Sequence, residues 1–563
     1  MKTIMNGTED FKEIIDNNYY YVDKTKLIED IITEKVVLYT RPRRFGKTLN
    51  MSMLYYFFSN KEKNNAYLFD GLAVSNNSEI MKHQNQYPVI YISLKDMKSI
   101  HMNEQINEFA DIIKNVVFKN QELFSSINVS DADKQILHDF EYLKADRVQL
   151  RNALKTISRC LNYCYQSKVI ILIDEYDVPL QSAYINGYYD EMVNFLQNVF
   201  SAALKTNDAL EKGIMTGCLR IAKESIFTGL NNFSVRSILD YEAGDCFGFT
   251  QNEIDELLEY YDIKEKREII KDWYDGYLFG NTEIYNPWST LNYVQKVLNH
   301  KGFSPVSFWA NTSGNDIIKQ YIEHSDETTK EEFHQLLNGK SIIKRIKPEL
   351  TYREMDFDRN PTMKDDVYSF LLFTGYLKVE KQLLIEGDNA VSNTYYLVIP
   401  NQEIKEIYTN IFSEWFTVFQ NERRSDFINS LLAEDTDNAL EILSDVLEAS
   451  ISYYDNYESF YHGFLIGFLQ GSEYMIQSNK ESGDGRFDIA LVPRRRTRTC
   501  IILECKHSLS NEQLVSDSQN AAMQIGEKNY KSFFIKQGYR KVLGYGISFY
   551  KKQCYITKAS TNK

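Results

Sequence analysis

Asp488, Glu504 and Lys506 stand at the ends of two short apolar runs, Ile489–Val492 and Cys500–Leu503. Burying such charges costs several kcal/mol unless they are paired or hold a metal. Between the runs lie Pro493 and the basic segment Arg494-Arg495-Arg496-Thr497-Arg498. If the runs pair as a hairpin symmetric about residue 496, position i faces 992 − i, and Asp488 falls opposite Glu504. Side chains alternate along a strand, so Glu504 and Lys506 share a face. Two carboxylates so placed bind Mg²⁺ through oxygen, and a nearby ammonium orients or deprotonates a water, which is the equipment for phosphodiester hydrolysis. A slip of one residue would undo the arrangement. Glu458, just ahead of the helix-like run Phe460–Leu469, offers a third acid. Gln524, inside the apolar stretch Ala521–Ile525, needs a polar partner such as this site. On an exposed hairpin the same charges would form a surface cluster worth only ~0–1 kcal/mol. Beside a phosphodiesterase site, the arginine-rich turn reads as a clamp on the phosphate backbone.

A second group of residues points to phosphate. The segment from Val36 to Phe58 runs apolar strand, loop, helix, and the loop closes with Gly46-Lys47-Thr48 at the helix start. Free N–H groups and partial positive charge at a helix N-terminus suit an anion. Gly46 allows close backbone approach, Lys47 reaches the β/γ-phosphates, and the Thr48 hydroxyl ligates Mg²⁺. The glycine that usually stands five residues before Gly46 is Arg41 here, and Arg43 and Arg44 enrich the loop further. Downstream, the apolar run Val169–Ile173 ends in Asp174 and Glu175. An acid in this place supports the Mg²⁺ shell, and a following Glu polarises the attacking water. Thr216, ending the next apolar run, is placed to sense the γ-phosphate. Arg220 and Lys223 would add charge, in cis or across a subunit interface, or would simply be a solvated helix face.

The elements that must position these groups are legible in outline. The runs 36–40, 87–94, 168–174 and 212–217 are apolar strands separated by helix-length segments, the pattern of a parallel sheet covered on both faces. Residues 100–165 have helical spacing and read as an insertion on that sheet. From about 250 to 450 the chain is mostly helical, with strand candidates such as 393–400. The last segment mixes helices at 457–470 and 511–530 with strands in an α+β order. Three domains follow, 1–245, 246–450 and 451–563.

With 563 residues the chain is too long for one core. It has 43% hydrophobic and 25% charged residues, with 40 Tyr and 33 Phe, which is the composition of a soluble globular protein. The polar, acidic first thirty residues show no signal peptide, and no apolar run is long enough to span a membrane. Cys160 and Cys164 have no matching second pair for zinc, so the seven cysteines read as thiols in a reducing cytoplasm. The net charge of −14 argues against general nucleic-acid binding. Residues 451–563, however, hold 16 Lys/Arg against 10 Asp/Glu, hence +6 against −20 for the remainder. A locally basic module on an acidic body is compatible with holding phosphate backbones.

Taken together, these motifs resemble the bacterial AAA-ATPase-like proteins that carry a C-terminal PD-(D/E)XK nuclease-superfamily domain. The resemblance rests on Tyr21-Val-Asp23-Lys24-Thr25, Arg41-Pro-Arg-Arg-Phe-Gly46-Lys47-Thr48, Ile173-Asp174-Glu175-Tyr-Asp177 and Phe227-Thr-Gly-Leu-Asn231-Asn232. It continues through Phe247-Gly-Phe-Thr250, Trp273-Tyr-Asp-Gly-Tyr277, Tyr285-Asn-Pro287, Tyr461-His462-Gly463, Glu481 to Asp488, Glu504-Cys-Lys506 and Gln524-Ile525. It implies an α/β P-loop NTPase parallel sheet, a mostly helical or winged-helix middle, and a C-terminal α+β restriction-endonuclease-like domain. It also implies Asp488 and Glu504 as metal ligands, Lys506 as catalytic, and Gln524 and Glu458 as accessory. ATP and Mg²⁺ are the cofactors expected, with Arg44, Gly46, Lys47, Thr48, Asp174, Thr216 and Arg220 toward the nucleotide and Glu175 catalytic. The expected function is an ATP-binding protein whose nucleotide state gates a Mg²⁺-dependent nuclease, with DNA favoured over RNA as partner, no membrane and self-assembly hinted at by Arg220 and Lys223. The rival expectation is a signalling or scaffold ATPase whose nuclease-like domain only binds nucleic acid or protein.

Overall fold

The structure is a computed structural model describing residues 1–220, 233–309, 327–337, 339–350, 364–385, 389–450, 458–470, 472–482 and 485–560. Lys223 and the Phe227–Asn232 motif lie outside the described residues. Two compact units divide the chain, Met1–Thr409 and Asn410–Lys563. The region 246–450 is thus shared between them.

The first unit is built on a five-stranded, all-parallel sheet of β1 (Val36–Thr40), β2 (Val89–Ser93), β3 (Val169–Asp174), β4 (Leu210–Gly217) and β5 (Phe233–Arg236). The strand order is β2-β3-β4-β1-β5. Helices link β1 to β2, β2 to β3 and β3 to β4, as parallel pairing requires. Burial follows position: β1 and β3, both inside the sheet, are buried at every residue, whereas the edge strands β2 and β5 are half-exposed. The four runs of apolar residues correspond to β1–β4. Strand β5, Phe-Ser-Val-Arg, is too polar to be recognised by that rule. Helix α1 (Lys47–Phe58) follows β1, and the insertion is helical as expected, with α2 (Met102–Phe118), α3 (Asp131–Glu141) and α4 (Ala153–Tyr165) as its longer members.

Beyond the sheet, α5 (Gln251–Tyr260) opens with a complete capping box, Thr250 and Glu253 satisfying each other's backbone N–H groups. A two-stranded hairpin, β6 (Tyr277–Phe279) and β7 (Thr282–Ile284), precedes α6 (Pro287–Asn299), which is capped by Asn286. A three-stranded antiparallel sheet of order β8-β10-β9 follows, formed by β8 (Ile342–Arg345), β9 (Lys378–Ile385) and β10 (Asn389–Val398). Helix α7 (Gln402–Ala433) carries the chain from the first unit into the second.

The second unit contains α8 (Thr436–Ser450), α9 (Glu458–Leu469), a five-stranded mixed sheet, α10 (Leu514–Glu527) and α11 (Tyr530–Lys536). The sheet comprises β11 (Tyr474–Ser482), β12 (Gly485–Pro493), β13 (Cys500–His507), β14 (Val542–Tyr550) and β15 (Gln553–Lys558) in sequential order, with β13 and β14 parallel and the other pairs antiparallel. One face, with Ile489, Leu491, Ile501 and Leu503, packs on Leu443, Leu447 and Leu465 of α8 and α9. The other, with Ala490, Cys500 and Ile502, packs on Ala522 and Ile525 of α10 and Phe534 of α11. This alternation places the even-numbered residues of β13, including Glu504 and Lys506, on the face that α10 covers.

Candidate functional site

The loop from β1 to α1 turns through two left-handed residues, Arg44 (φ 68°) and Gly46 (φ 82°). Together with Lys47, Thr48 and Glu175 they line a cavity of about 740 Å³, whose farther wall includes Tyr20, Tyr21, Phe249 and Trp288. That volume is within the range of small-molecule and cofactor pockets. Lys47 is buried, and its ammonium donates to the carbonyls of Arg41 (3.1 Å) and Pro42 (3.0 Å). Burial alone would lower its pKa, but the acids gathered around it, Glu175, Asp177 and Asp174, with the thiol of Cys218, outweigh burial and raise it.

Asp174, fully buried at the end of β3, accepts a hydrogen bond at Oδ1 from the Thr216 hydroxyl. Its Oδ2 has no hydrogen-bond partner among the described residues. Burial pushes its pKa up, opposed by Thr216, Thr48 and Lys47. A buried, orphaned carboxylate oxygen beside the Thr48 hydroxyl fits a hydrated Mg²⁺ at the loop. Glu175 is held at φ 51° and raised by burial. Its neighbour Asp177 accepts from the N–H groups of Cys218 (2.8 Å) and Leu219 (3.1 Å), fixing the end of β4.

Two expectations about this site are redirected. Thr216 turns its hydroxyl to Asp174, where it supports the acid. Arg220 is absent from the cavity wall and pairs with Glu349 at 2.6 Å. Arg41, standing where a glycine is usual, is fully buried beneath the loop. Its guanidinium donates to the carbonyls of Thr40 (2.9 Å), Arg236 (2.6 Å) and Ala243 (3.1 Å), and lies over the rings of Phe247 and Phe279. Burial lowers its pKa to about 10. Arg43 donates to Gln181 at 2.7 Å.

Residues that site reasoning passed over complete the loop's surroundings. Lys24 lines the cavity, donating to both carboxylate oxygens of Glu253 (2.6 and 2.7 Å) and to the Asp245 carbonyl. Its signal was present as the Thr250-x-x-Glu253 capping pattern, but nothing in sequence says that Glu253 also meets Lys24. Gly248 (φ 80°) receives the loop directly: its N–H donates to the Phe45 carbonyl, and a Cβ there would meet Phe45 Cδ1 at 2.9 Å.

In the second unit, β12 and β13 pair as Ile489↔Leu503, Ala490↔Ile502 and Leu491↔Ile501, the 992 − i register. The Asp488 N–H points to Glu504 Oε2 at 3.3 Å, and Asp488 Oδ2 accepts from the Cys505 N–H at 2.8 Å. Gln524 of α10 donates its amide to Glu504 Oε1, so the polar residue in an apolar helix face has this acid as its partner. Glu504 is buried at 3% exposure, and its pKa is pushed up to about 8 by burial and then by the charge of Asp488, against the opposing Lys506. His462 of α9 contacts the Asp488 carbonyl at 3.1 Å. Among the described residues no group of three or more His, Cys, Asp or Glu is placed to hold a metal ion. The side chain of Glu458 lies outside the described residues. Two carboxylates with neutral oxygens nearby fit Mg²⁺, which retains much of its water shell.

The basic turn does not adjoin this pair. Arg494 follows the end of β12, six residues from Asp488, which at ~3.3 Å per residue is roughly 20 Å along the strand.

The parallel sheet with its phosphate-loop residues defines a P-loop NTPase core, and the five-stranded mixed sheet defines a nuclease-like domain. Residues 5–227 match the family model described as a predicted AAA-ATPase, and residues 456–559 match that of the PD-(D/E)XK nuclease superfamily. The chain is an AAA-ATPase-like protein with a C-terminal PD-(D/E)XK nuclease-superfamily domain. It is also 26% identical over 293 residues to an uncharacterized protein in the vnfD 5′ region of Azotobacter chroococcum mcd 1, a match covering 52% of this chain and 51% of the relative. The chain thus spans about half the length of that curated relative.

Proposed function

We propose that this protein binds ATP in the first unit and hydrolyses phosphodiester bonds in the second, with Mg²⁺ required, DNA the favoured substrate and nucleotide state controlling cleavage. The observation that carries the reading is the joining of Asp488, Glu504 and Gln524 on a sheet face that also bears Lys506. Asp488 and Glu504 would hold the divalent ion, whose chemistry is to neutralise the phosphate and promote ionisation of a water. Gln524 orients Glu504, and the Lys506 ammonium steadies the attacking water and the charge developing on phosphate. In the first unit, Lys47 and Gly46 serve the β/γ-phosphates, Thr48 and Asp174 the Mg²⁺ shell, and Glu175 the attacking water. All seven cysteines are free thiols, and the cytoplasm is the compartment this reading proposes. No described helix is long and apolar enough to cross a membrane.

Plasmid, single-stranded DNA and RNA are incubated with the full-length protein, with and without ATP and Mg²⁺. Mg²⁺-dependent cleavage lost in Asp488→Ala and Lys506→Ala supports the reading, and cleavage surviving both changes overturns the site. Nucleotide binding by calorimetry that is unchanged in Lys47→Ala overturns the phosphate loop. Nucleic-acid binding with no Mn²⁺ or Mg²⁺ affinity makes the second unit a binding module.

A further inference from the structure

Arg44 stands on the cavity wall and reaches into the middle region. Its guanidinium lies 4.4 Å over the Trp288 ring, and Nη1 donates to the Phe308 carbonyl at 3.2 Å. Trp288 Nε1 reaches the same carbonyl at 3.4 Å. A guanidinium carries five N–H donors. The remaining donors of Arg44 have no protein acceptor among the described residues. Burial lowers its pKa, and the charge of Glu403 opposes that only in part. A half-buried guanidinium with spare donors on a phosphate-loop cavity is chemically suited to an oxyanion.

What holds Arg44 in this place leads to one buried acid. Glu403 Oε1 accepts from the Phe308 N–H (2.8 Å), the Trp309 N–H (3.1 Å) and the Ser289 hydroxyl (2.9 Å). Ser289 adjoins Trp288 on α6, so both supports of Arg44, the indole and the Phe308 carbonyl, are anchored to one carboxylate. Glu403 is fully buried in the first turn of α7.

We infer that Arg44 is a phosphate-sensing residue positioned by Trp288, Phe308 and Glu403, so that phosphate in the loop is reported to the start of α7. The inference rests on the nucleotide reading above. An aromatic face and one neutral carbonyl hold a guanidinium more weakly than two charge-assisted bonds to phosphate. A nucleotide phosphate therefore draws Arg44 away from Trp288 and leaves the Phe308 carbonyl with the indole alone. Trp288 and Glu403 act through Arg44 and are positioning residues.

Tryptophan emission of the full-length protein reads the move directly, with ATP–Mg²⁺ binding followed by calorimetry on the same samples. Four tryptophans, at 273, 288, 309 and 415, contribute. Wild type is expected to change emission on binding, and Trp288→Phe to lose most of that change. Arg44→Ala, at ATP concentrations where calorimetry shows saturation, is expected to lose it as well. Glu403→Gln, which keeps the accepting oxygen, retains the response, whereas Glu403→Ala begins with shifted emission and responds weakly. A full response in saturated Arg44→Ala would mean that the nucleotide itself perturbs Trp288, and overturns the inference while leaving ATP binding intact. A response surviving in Trp288→Phe also overturns it. Absence of ATP binding in wild type overturns the nucleotide reading and this inference together.

Discussion

Asp488 and Glu504 are tied across the β12–β13 ladder: the Asp488 N–H faces Glu504 Oε2, and the N–H following Glu504 donates to Asp488 Oδ2. Backbone groups thus hold two acids together against their mutual repulsion. The sign of the effect on stability follows. Glu504 has a folded-state pKa of about 8, above the ordinary glutamate value of about 4.3. The protonated form is favoured by folding, so its contribution is fully present below the ordinary value and is lost as pH rises through about 8. Glu504→Gln should therefore change little near pH 4 and stabilise the metal-free second unit increasingly as pH rises from there to about 8, keeping its full effect at pH 9. Exchange protection of β12–β13 amides in the full-length protein measures this. Equal protection in wild type and variant at pH 9 would contradict it.

The same raised pKa sets how a cation competes with a proton. Below about pH 8, binding at Asp488 and Glu504 displaces the Glu504 proton. Mn²⁺ affinity should rise by about tenfold per pH unit between pH 6 and 7.5 and flatten above pH 8.5, the slope of a single displaced proton. Calorimetry across that range tests it, with Glu504→Gln expected to flatten the whole profile. A wild-type affinity independent of pH would show that Glu504 is already ionised.

Where sequence reasoning succeeded, each signal was local. Strands β1 to β4 were continuous apolar runs, and the hairpin register followed from the symmetry of two runs about their turn. Gln524 was found because a polar side chain in an apolar helix face must be answered by a partner. The surprises involve side chains whose partners lie far along the chain. Arg41 looked like a loop charge because Arg236, Phe247 and Phe279 are about 200 residues away or more. Thr216 and Asp174 are 42 residues apart, so their hydrogen bond was invisible and the hydroxyl was assigned to phosphate. Arg220 finds Glu349, and Arg44 finds Trp288 and Phe308, by the same long-range logic. The basic turn was associated with the acids by proximity in sequence, although a strand separates them in space.

Arg41 leads to a prediction that runs against motif similarity. Arg41→Gly restores the usual glycine but removes three hydrogen bonds to backbone carbonyls and two ring contacts. The expected loss of stability is about 3 kcal/mol, with lower ATP affinity because the loop loses its floor. Thermal unfolding of the first unit and calorimetry report the two effects. A more stable variant that binds ATP better would show that the aromatic cage contributes little.

Two glycines should fail in different ways. A Cβ at Gly46 meets nothing within 4 Å, so Gly46→Ala carries only the strain of φ 82°, about 1 kcal/mol, and should fold while losing nucleotide affinity. At Gly217 a Cβ would lie 2.6 Å from Tyr176 Cε1 and 2.8 Å from Asp177 Oδ1. Gly217→Ala should cost about 1–3 kcal/mol by overpacking and disturb the end of β4 that Asp177 holds. Circular dichroism separates the two, since Gly46→Ala should melt close to wild type and Gly217→Ala clearly lower. Matching melts would deny the close approach at Gly217.

The arginine-rich turn separates backbone grip from chemistry. Arg494, Arg495 and Arg496 are exposed and make no ion pair among the described residues, whereas Arg498 pairs with Glu473. Duplex DNA presents a phosphate pair about every 3.4 Å, so roughly 20 Å of strand corresponds to about six base pairs from the acids. If these arginines hold phosphates there, replacing all three by alanine should lower the slope of log affinity against log salt by up to about 3. Cleavage at saturating DNA and low salt should be almost unchanged. Lys506→Ala should do the opposite, stopping cleavage and altering the slope by no more than about 1. Binding titrations of a 20-base-pair duplex at several salt concentrations distinguish the roles. An unchanged slope in the triple variant would make the turn a solvated loop, leaving Asp488, Glu504 and Lys506 unaffected.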